Sequence, residues 1–66
     1  MEELSKEEVF YLIMITESRI RENIEQNKIF NESDIDLTEI IDINNMEIKK
    51  CQIIVDKLNK KLDSMF

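Results

Sequence analysis

Three features of this 66-residue chain could carry chemistry: the thiol of Cys51, the carboxylate of Asp56 and an acidic segment over residues 32–42. The sequence has no histidine, so the commonest general base and metal ligand is missing. It has no glycine, which phosphate-cradling loops require. A single cysteine excludes an internal disulfide and a zinc cluster. These absences disfavour most enzyme classes, and we expect neither a cofactor nor a bound metal.

The acidic segment over residues 32–42 contains no lysine or arginine. It lacks the glycine and the closing glutamate of a calcium loop, so calcium binding is disfavoured. One interpretation is a solvated patch that caps a helix start. The other is a surface that docks on a basic protein, with Asp34, Asp36 and Glu39 as the partner-binding candidates.

Arg19 and Arg21 are the only arginines in the chain and lie two positions apart. They could grip a carboxylate or a phosphate on a partner, which makes both of them candidates for partner binding. Alternatively, they could form exposed ion pairs with glutamates of the same helix. Cys51 has only lysines nearby as potential bases, so it is interpreted as a small core residue.

These residues need elements to position them, and the caps predict two helices. Ser5 and Glu8 have the spacing of a capping box, which predicts a helix over about residues 6–28. Its buried stripe is expected to follow a helical period through Val9, Ile13, Thr16, Ile20, Asn23 or Ile24, and Asn27. A loop is expected at about residues 29–35. Cap signals at Ser33 and Asp36 then start a second helix between Asp34 and Leu37 that ends near residue 65.

The second helix carries an unbroken alternation of four-residue and three-residue steps, which is typical of a supercoiled seam. Asn44 is its only polar member, and it is interpreted either as a selector of register and partner or as a solvated amide where the seam has not closed. We predict this seam as a self-association surface. The residues are Leu37, Ile41, Asn44, Ile48, Cys51, Val55, Leu58 and Leu62, with Met65 continuing the spacing.

Further apolar residues lie off both stripes. On the second helix these are Ile40, Ile43, Met46, Ile53 and Ile54. On the first helix, residues 9–15 are apolar around the whole circumference. We expect a partner chain to bury this turn, with Phe10, Tyr11 and Met14 as partner-binding candidates, although half-exposed side chains on a small core are the alternative.

A chain this short buries a marginal core, which favours oligomerisation. The fold prediction is therefore all-α: one domain over residues 1–66, an antiparallel helical hairpin that pairs with a copy of itself as a four-helix bundle or coiled-coil-like assembly. The formal net charge of -6 counts against direct nucleic-acid binding. The longest apolar run is too short to cross a membrane, and the acidic start does not resemble a signal peptide. We therefore expect a cytoplasmic protein.

Two stretches resemble the sporulation-type aspartyl-phosphate phosphatase family of Gram-positive bacteria. ITESR (residues 15–19) is similar to that family's first helix, and QIIVDKLN (residues 52–59) is similar to its motif region. The resemblance implies that Asp56 takes part in removing phosphate from a response regulator. Gln52 stands where the family has serine, and TEIID (residues 38–42) is a second match with threonine in that place.

Three functions follow as hypotheses. The first is a non-enzymatic protein-interaction or regulatory module that acts through helix surfaces. The second is the response-regulator phosphatase implied by the resemblance. The third is an acidic inhibitor, of the kind used by phages, that occupies a nucleic-acid-binding site on a basic protein.

Overall fold

The computed structural model describes residues 3–66 as two helices, α1 (Lys6–Asn31) and α2 (Thr38–Ser64), joined by one turn. Contacts of Asn27 with Asn44 and of Lys6 with Phe66 show that the helices run antiparallel. The hairpin measures 49 × 19 × 15 Å and contains no strand within residues 3–66. The predicted all-α helical hairpin is confirmed, while its pairing with a second copy stays a prediction.

The predicted capping box forms at the start of α1. The Glu8 backbone N–H donates to Ser5 Oγ at 3.1 Å, and the Ser5 backbone N–H donates to Glu8 Oε1 at 2.9 Å. These two bonds satisfy amide groups that have no partner within the helix. At its other end α1 continues to Asn31, beyond the predicted end near residue 28, and the Glu32 N–H closes the last turn on the carbonyls of Lys28 and Ile29.

The start of α2 differs from both predicted caps. Asp36 Oδ1 accepts from the Thr38 backbone N–H at 3.1 Å and from the Thr38 hydroxyl at 2.6 Å. Ser33 Oγ likewise accepts from the Ile35 N–H, two positions on. Because these side chains close local turns, neither caps an amide three residues ahead. α2 therefore begins at Thr38, after the interval in which the cap signals predicted its start, with Leu37 as an N-cap that makes no side-chain bond.

The interface between the helices has an apolar half and a polar half. Towards the open end of the hairpin, Val9, Ile13 and Cys51 are buried. Towards the turn the buried residues are Asn23, Asn27 and Asn44. The predicted α1 stripe therefore lies at the interface, with Asn23 inside and Ile24 exposed. Apolar burial stabilises the open end, and side-chain amides determine the pairing near the turn.

The predicted α2 seam lies against α1 of the same chain. Its members are buried or half-buried: Leu37, Ile41, Asn44, Ile48, Cys51, Val55, Leu58 and Leu62. Self-association through these residues stays a prediction. α1 already covers part of this face: Asn44 and Cys51 are buried, and the other members are half-buried. A second copy would meet only the part of this face that α1 leaves exposed, or else bind a different face.

Candidate protein-interaction surfaces

A cluster of side-chain amides joins the two helices near the turn. Asn44 is 8% exposed, and its Nδ2 donates to Asn27 Oδ1 at 3.0 Å. Asn27 Nδ2 in turn donates to Asn45 Oδ1 at 3.0 Å. A buried amide is tolerated when it finds such partners and is costly when it does not. Asn44 is therefore buried and hydrogen-bonded, and its partner, Asn27, belongs to the same chain.

Next to this cluster, Arg19 crosses the interface to Glu47. Arg19 Nε donates to Glu47 Oε1, and Arg19 Nη1 lies 3.8 Å from Glu22 Oε2. The bond from Arg19 lowers the pKa of Glu47, and Asn23 lowers that pKa further. Arg19, a predicted partner-binding residue, is therefore already engaged with α2. Arg21, the other one, donates to Ser18 Oγ at 3.0 Å on its own helix.

Asn23 is the exception in the polar half of the interface. It is 3% exposed, and its Nδ2 has no hydrogen-bond partner of acceptable geometry within residues 3–66, although Asn23 lies near enough to Glu47 to influence its pKa. A buried donor without a good acceptor destabilises the folded state. Asn23 is therefore a weak point of the interface.

An apolar groove lies at the open end of the hairpin. Phe10, Tyr11 and Met14 are exposed there, and Tyr11 is 64% exposed. The Lys6 ammonium lies 4.7 Å from the centroid of the Phe66 ring, which closes one side by a cation–π contact. We call this the open-end groove; it is lined by Lys6, Glu7, Phe10, Tyr11, Met14, Leu62 and Phe66. The three predicted partner-binding residues of residues 9–15 are thus brought together on one surface.

A second apolar surface lies on α2, about a third of a turn around the helix from the seam. Ile43 and Met46 are 62% and 60% exposed. Glu47 and Lys50 line this surface beside them, and Ile53 and Ile54 are exposed further along α2. We call this surface the α2 outer strip: Ile43, Met46, Glu47, Lys50, Ile53 and Ile54. The four apolar members were noted in the sequence as lying off the seam, whereas Glu47 and Lys50 were not singled out there.

The acidic candidates lie at the turn end of the hairpin. Asp34, Asp36 and Glu39 are all exposed. The Thr38 hydroxyl, and then the Thr38 backbone N–H, lower the pKa of Asp36. Asp36 therefore stabilises the turn that precedes α2. Within residues 3–66 no group of acids and cysteine is arranged to hold a metal ion.

Asp56, the residue highlighted by the phosphatase resemblance, is exposed on α2, and so is Gln52 one turn before it. In the competing match, the Thr38 hydroxyl is occupied by its bond to Asp36. Among residues 3–66, no side chain forms a hydrogen bond to Asp56 or to Asp42, the aspartates of the two matches.

Sequence reasoning missed Glu47, Asn45 and the pairing of Asn27. A usable signal was present: Asn23 and Asn27 continue the α1 stripe, and antiparallel pairing places them beside the polar members of α2. Arg19 offered no such signal, because nearer glutamates on its own helix were equally good candidates.

Comparisons of this chain with protein-family models, with curated proteins and with solved structures give no match. Within the part of the chain that the structure describes, neither helix is long and apolar enough to span a membrane.

Proposed function

We propose that this chain is a protein-interaction module that binds another protein through its outward helix surfaces. One observation carries the proposal. Among residues 3–66, three apolar residues are buried, whereas fifteen large apolar side chains are exposed. Apolar exposure on this scale is typical of proteins that bind a partner, because leaving apolar surface in water is unfavourable.

The open-end groove is the surface proposed to bind the partner. Exposed aromatic and methionine side chains are the residue types that are enriched in the centres of protein interfaces. Phe10 and Met14 lie one turn apart on α1, so they offer a ridge of the width that an apolar helix face can cover. Lys6 and Glu7 at the border supply charges of both signs at the rim.

Site-specific photo-crosslinking in the cells that produce the chain tests this function. A benzophenone amino acid in place of Tyr11 is expected to form a discrete adduct with one other protein, which mass spectrometry would identify. The matched control places the same amino acid at Asn59, which is exposed on the polar side of α2. Adducts at both positions alike, or none at either Tyr11 or Met14, would contradict the proposal. The cytoplasm stays the predicted compartment of this chain.

The phosphatase function is a second candidate, supported by the sequence resemblance and by the exposure of Asp56. If it is correct, the purified chain speeds the loss of phosphate from a phosphorylated receiver domain. Asp56→Asn should abolish this effect, while Asp63→Asn, a change at another exposed aspartate of α2, should not. A lack of effect on several receiver domains would exclude the phosphatase.

The inhibitor function is supported by the exposed acidic residues at the turn end. It predicts that the chain binds a basic, nucleic-acid-binding protein with an affinity that falls steeply as salt is added. Binding that does not respond to salt would count against it.

A further inference from the structure

We infer that a second copy of this chain binds on the α2 outer strip, with the two α2 helices antiparallel around a two-fold axis. The inference rests on the proposed function, in that it assigns one of the outward surfaces to self-association and leaves the open-end groove for a different protein. It follows from three properties of the strip: its exposure, its charge polarity and its internal symmetry.

The first property is exposure. Ile43, Met46 and Ile53 are each more than half exposed, although all three lie within α2 and away from its ends. They face away from the seam, which α1 covers. α2 thus has two apolar faces, one covered by α1 and one exposed. This pattern is expected of a helix that packs against two neighbouring helices.

The second property is the charge polarity of α2. Before residue 43 the exposed charges of the turn and α2 are acidic, as at Asp36, Glu39 and Asp42. Beyond residue 48 they are mainly basic: Lys49, Lys50, Lys57, Lys60 and Lys61 against Asp56 and Asp63. Antiparallel pairing places the acidic end of each α2 beside the basic end of the other. Parallel pairing would place like charges together, which is unfavourable.

The third property is internal symmetry. If the two-fold axis passes between residues 48 and 49, Ile43 lies opposite the partner's Ile54, and Glu47 lies opposite the partner's Lys50. The central line of the strip, Ile43, Glu47, Lys50 and Ile54, therefore reads apolar, acid, base, apolar, and it is its own complement when reversed, with Met46 and Ile53 along one side of it. A two-fold interface requires this, because the same patch serves both copies. An unrelated partner helix would impose no such constraint on the spacing.

Glu47 fits this arrangement while keeping its bond within the chain. Arg19 Nε occupies Oε1 of Glu47. A carboxylate has two oxygens and accepts several hydrogen bonds, so the partner's Lys50 can bind the other oxygen. Arg19 thus holds the Glu47 carboxylate beside the strip in the free chain, before a second copy arrives.

Sedimentation equilibrium of the full chain across the micromolar range tests the surface. The wild-type chain should be a dimer, and Ile43→Lys should weaken dimerisation by about tenfold or more, because each dimer contains the substituted position twice. Ile24→Lys is the matched control: Ile24 is also an exposed isoleucine but lies on α1, and this variant should remain a dimer. Lys50→Glu provides a second test at an exposed charge and should also weaken the dimer. Circular dichroism checks the helicity of each variant.

Crosslinking between introduced cysteines tests the orientation. In a Cys51→Ala background, Ile40→Cys and Lys57→Cys chains are mixed and treated with a short bismaleimide. The mixture should give covalent dimers. Either chain alone should give few, because antiparallel pairing separates position 40 from its own copy by about 25 Å along the axis. Efficient crosslinking of the Ile40→Cys chain to itself would overturn the antiparallel arrangement.

The outcomes separate this inference from the proposed function. A monomeric wild-type chain, or an Ile43→Lys chain that dimerises like wild type, overturns the inference and leaves the Tyr11 adducts as independent evidence for a partner. A dimer that responds to Ile43→Lys, with no adduct at Tyr11 or Met14, supports the inference and contradicts partner binding in the open-end groove.

Discussion

Asn44 and Asn27, seventeen positions apart in sequence, form a hydrogen bond of 3.0 Å between buried side chains of facing helices. The bond lies in the polar half of the interface. Apolar side chains at these two positions would allow the helices to shift along each other with little change in free energy. Two amides that must meet each other allow one register. The pair therefore determines how α1 is aligned along α2.

Replacing one member of this pair should be worse than replacing both. Asn44→Leu leaves Asn27 Oδ1 buried without its donor, so we expect a loss of about 1–3 kcal/mol in the free energy of unfolding. The double variant Asn27→Leu/Asn44→Leu removes both polar groups and should approach or exceed the stability of the wild-type chain. Urea denaturation of the two single variants and the double variant measures the coupling. Simple additivity of the single effects would show that the amides do not act as a pair.

Asn23 should give the opposite result from Asn44 for the same substitution. Its Nδ2 is buried without a hydrogen bond of acceptable geometry among the described residues. Asn23→Leu therefore removes a buried amide whose approach to Glu47 falls short of a well-formed hydrogen bond, and it adds apolar contact, so we expect a gain of about 1 kcal/mol in the free energy of unfolding. If urea denaturation shows a loss like that of Asn44→Leu, then Asn23 has a partner that matters.

The ion pair between Arg19 and Glu47 should make part of the stability depend on pH. The bond from Arg19 lowers the pKa of Glu47 below its ordinary value of 4.5. A lowered pKa in the folded state stabilises the fold above the ordinary pKa, and this contribution is lost as the pH falls through the folded value. The wild-type chain should thus be more stable than Glu47→Gln at neutral pH, and the difference should vanish in acid. If the two chains still differ in their free energy of unfolding at low pH, the difference arises from packing and not from the charge of Glu47. Denaturant unfolding at a series of pH values provides the measurement.

The capping box at the start of α1 should contribute measurably to stability. Ser5→Ala removes the acceptor for the Glu8 N–H, and we expect a loss of about 1 kcal/mol. Ser5→Asp keeps an acceptor at the same position and serves as the control, with stability close to that of wild type. Thermal denaturation compares the three chains. Equal losses for both substitutions would mean that the cap bond is not the cause.

The thiol of Cys51 should react slowly with a thiol reagent in the folded chain, since the residue is 9% exposed. The matched control moves the cysteine by one position, in a Cys51→Ala/Gln52→Cys chain, because Gln52 is exposed. We expect the native Cys51 thiol to react at least about tenfold more slowly than the thiol at position 52. Its rate should be set by opening of the hairpin. Equal rates would show that the seam does not stay closed around Cys51.

The sequence by itself determined the two helices and the face of α2 that is covered. Capping bonds join residues three positions apart, and a seam repeats every few residues, so both are visible along the chain. The exact start of α2 was not visible, because Asp36 could cap ahead or turn back on Thr38, and the two choices differ by local geometry alone.

Only the tertiary structure decided what meets across the interface. The sequence offered Arg19 several glutamates on its own helix; Arg19 does pair with Glu22 there, and the antiparallel register added Glu47 of α2. The periodic seam indicated a covered face without indicating what covers it, because burial is non-directional and any apolar surface satisfies it. Folding assigned that face to α1. The amides of Asn27 and Asn44, whose bonds are directional, then fixed the alignment and left the α2 outer strip and the open-end groove exposed.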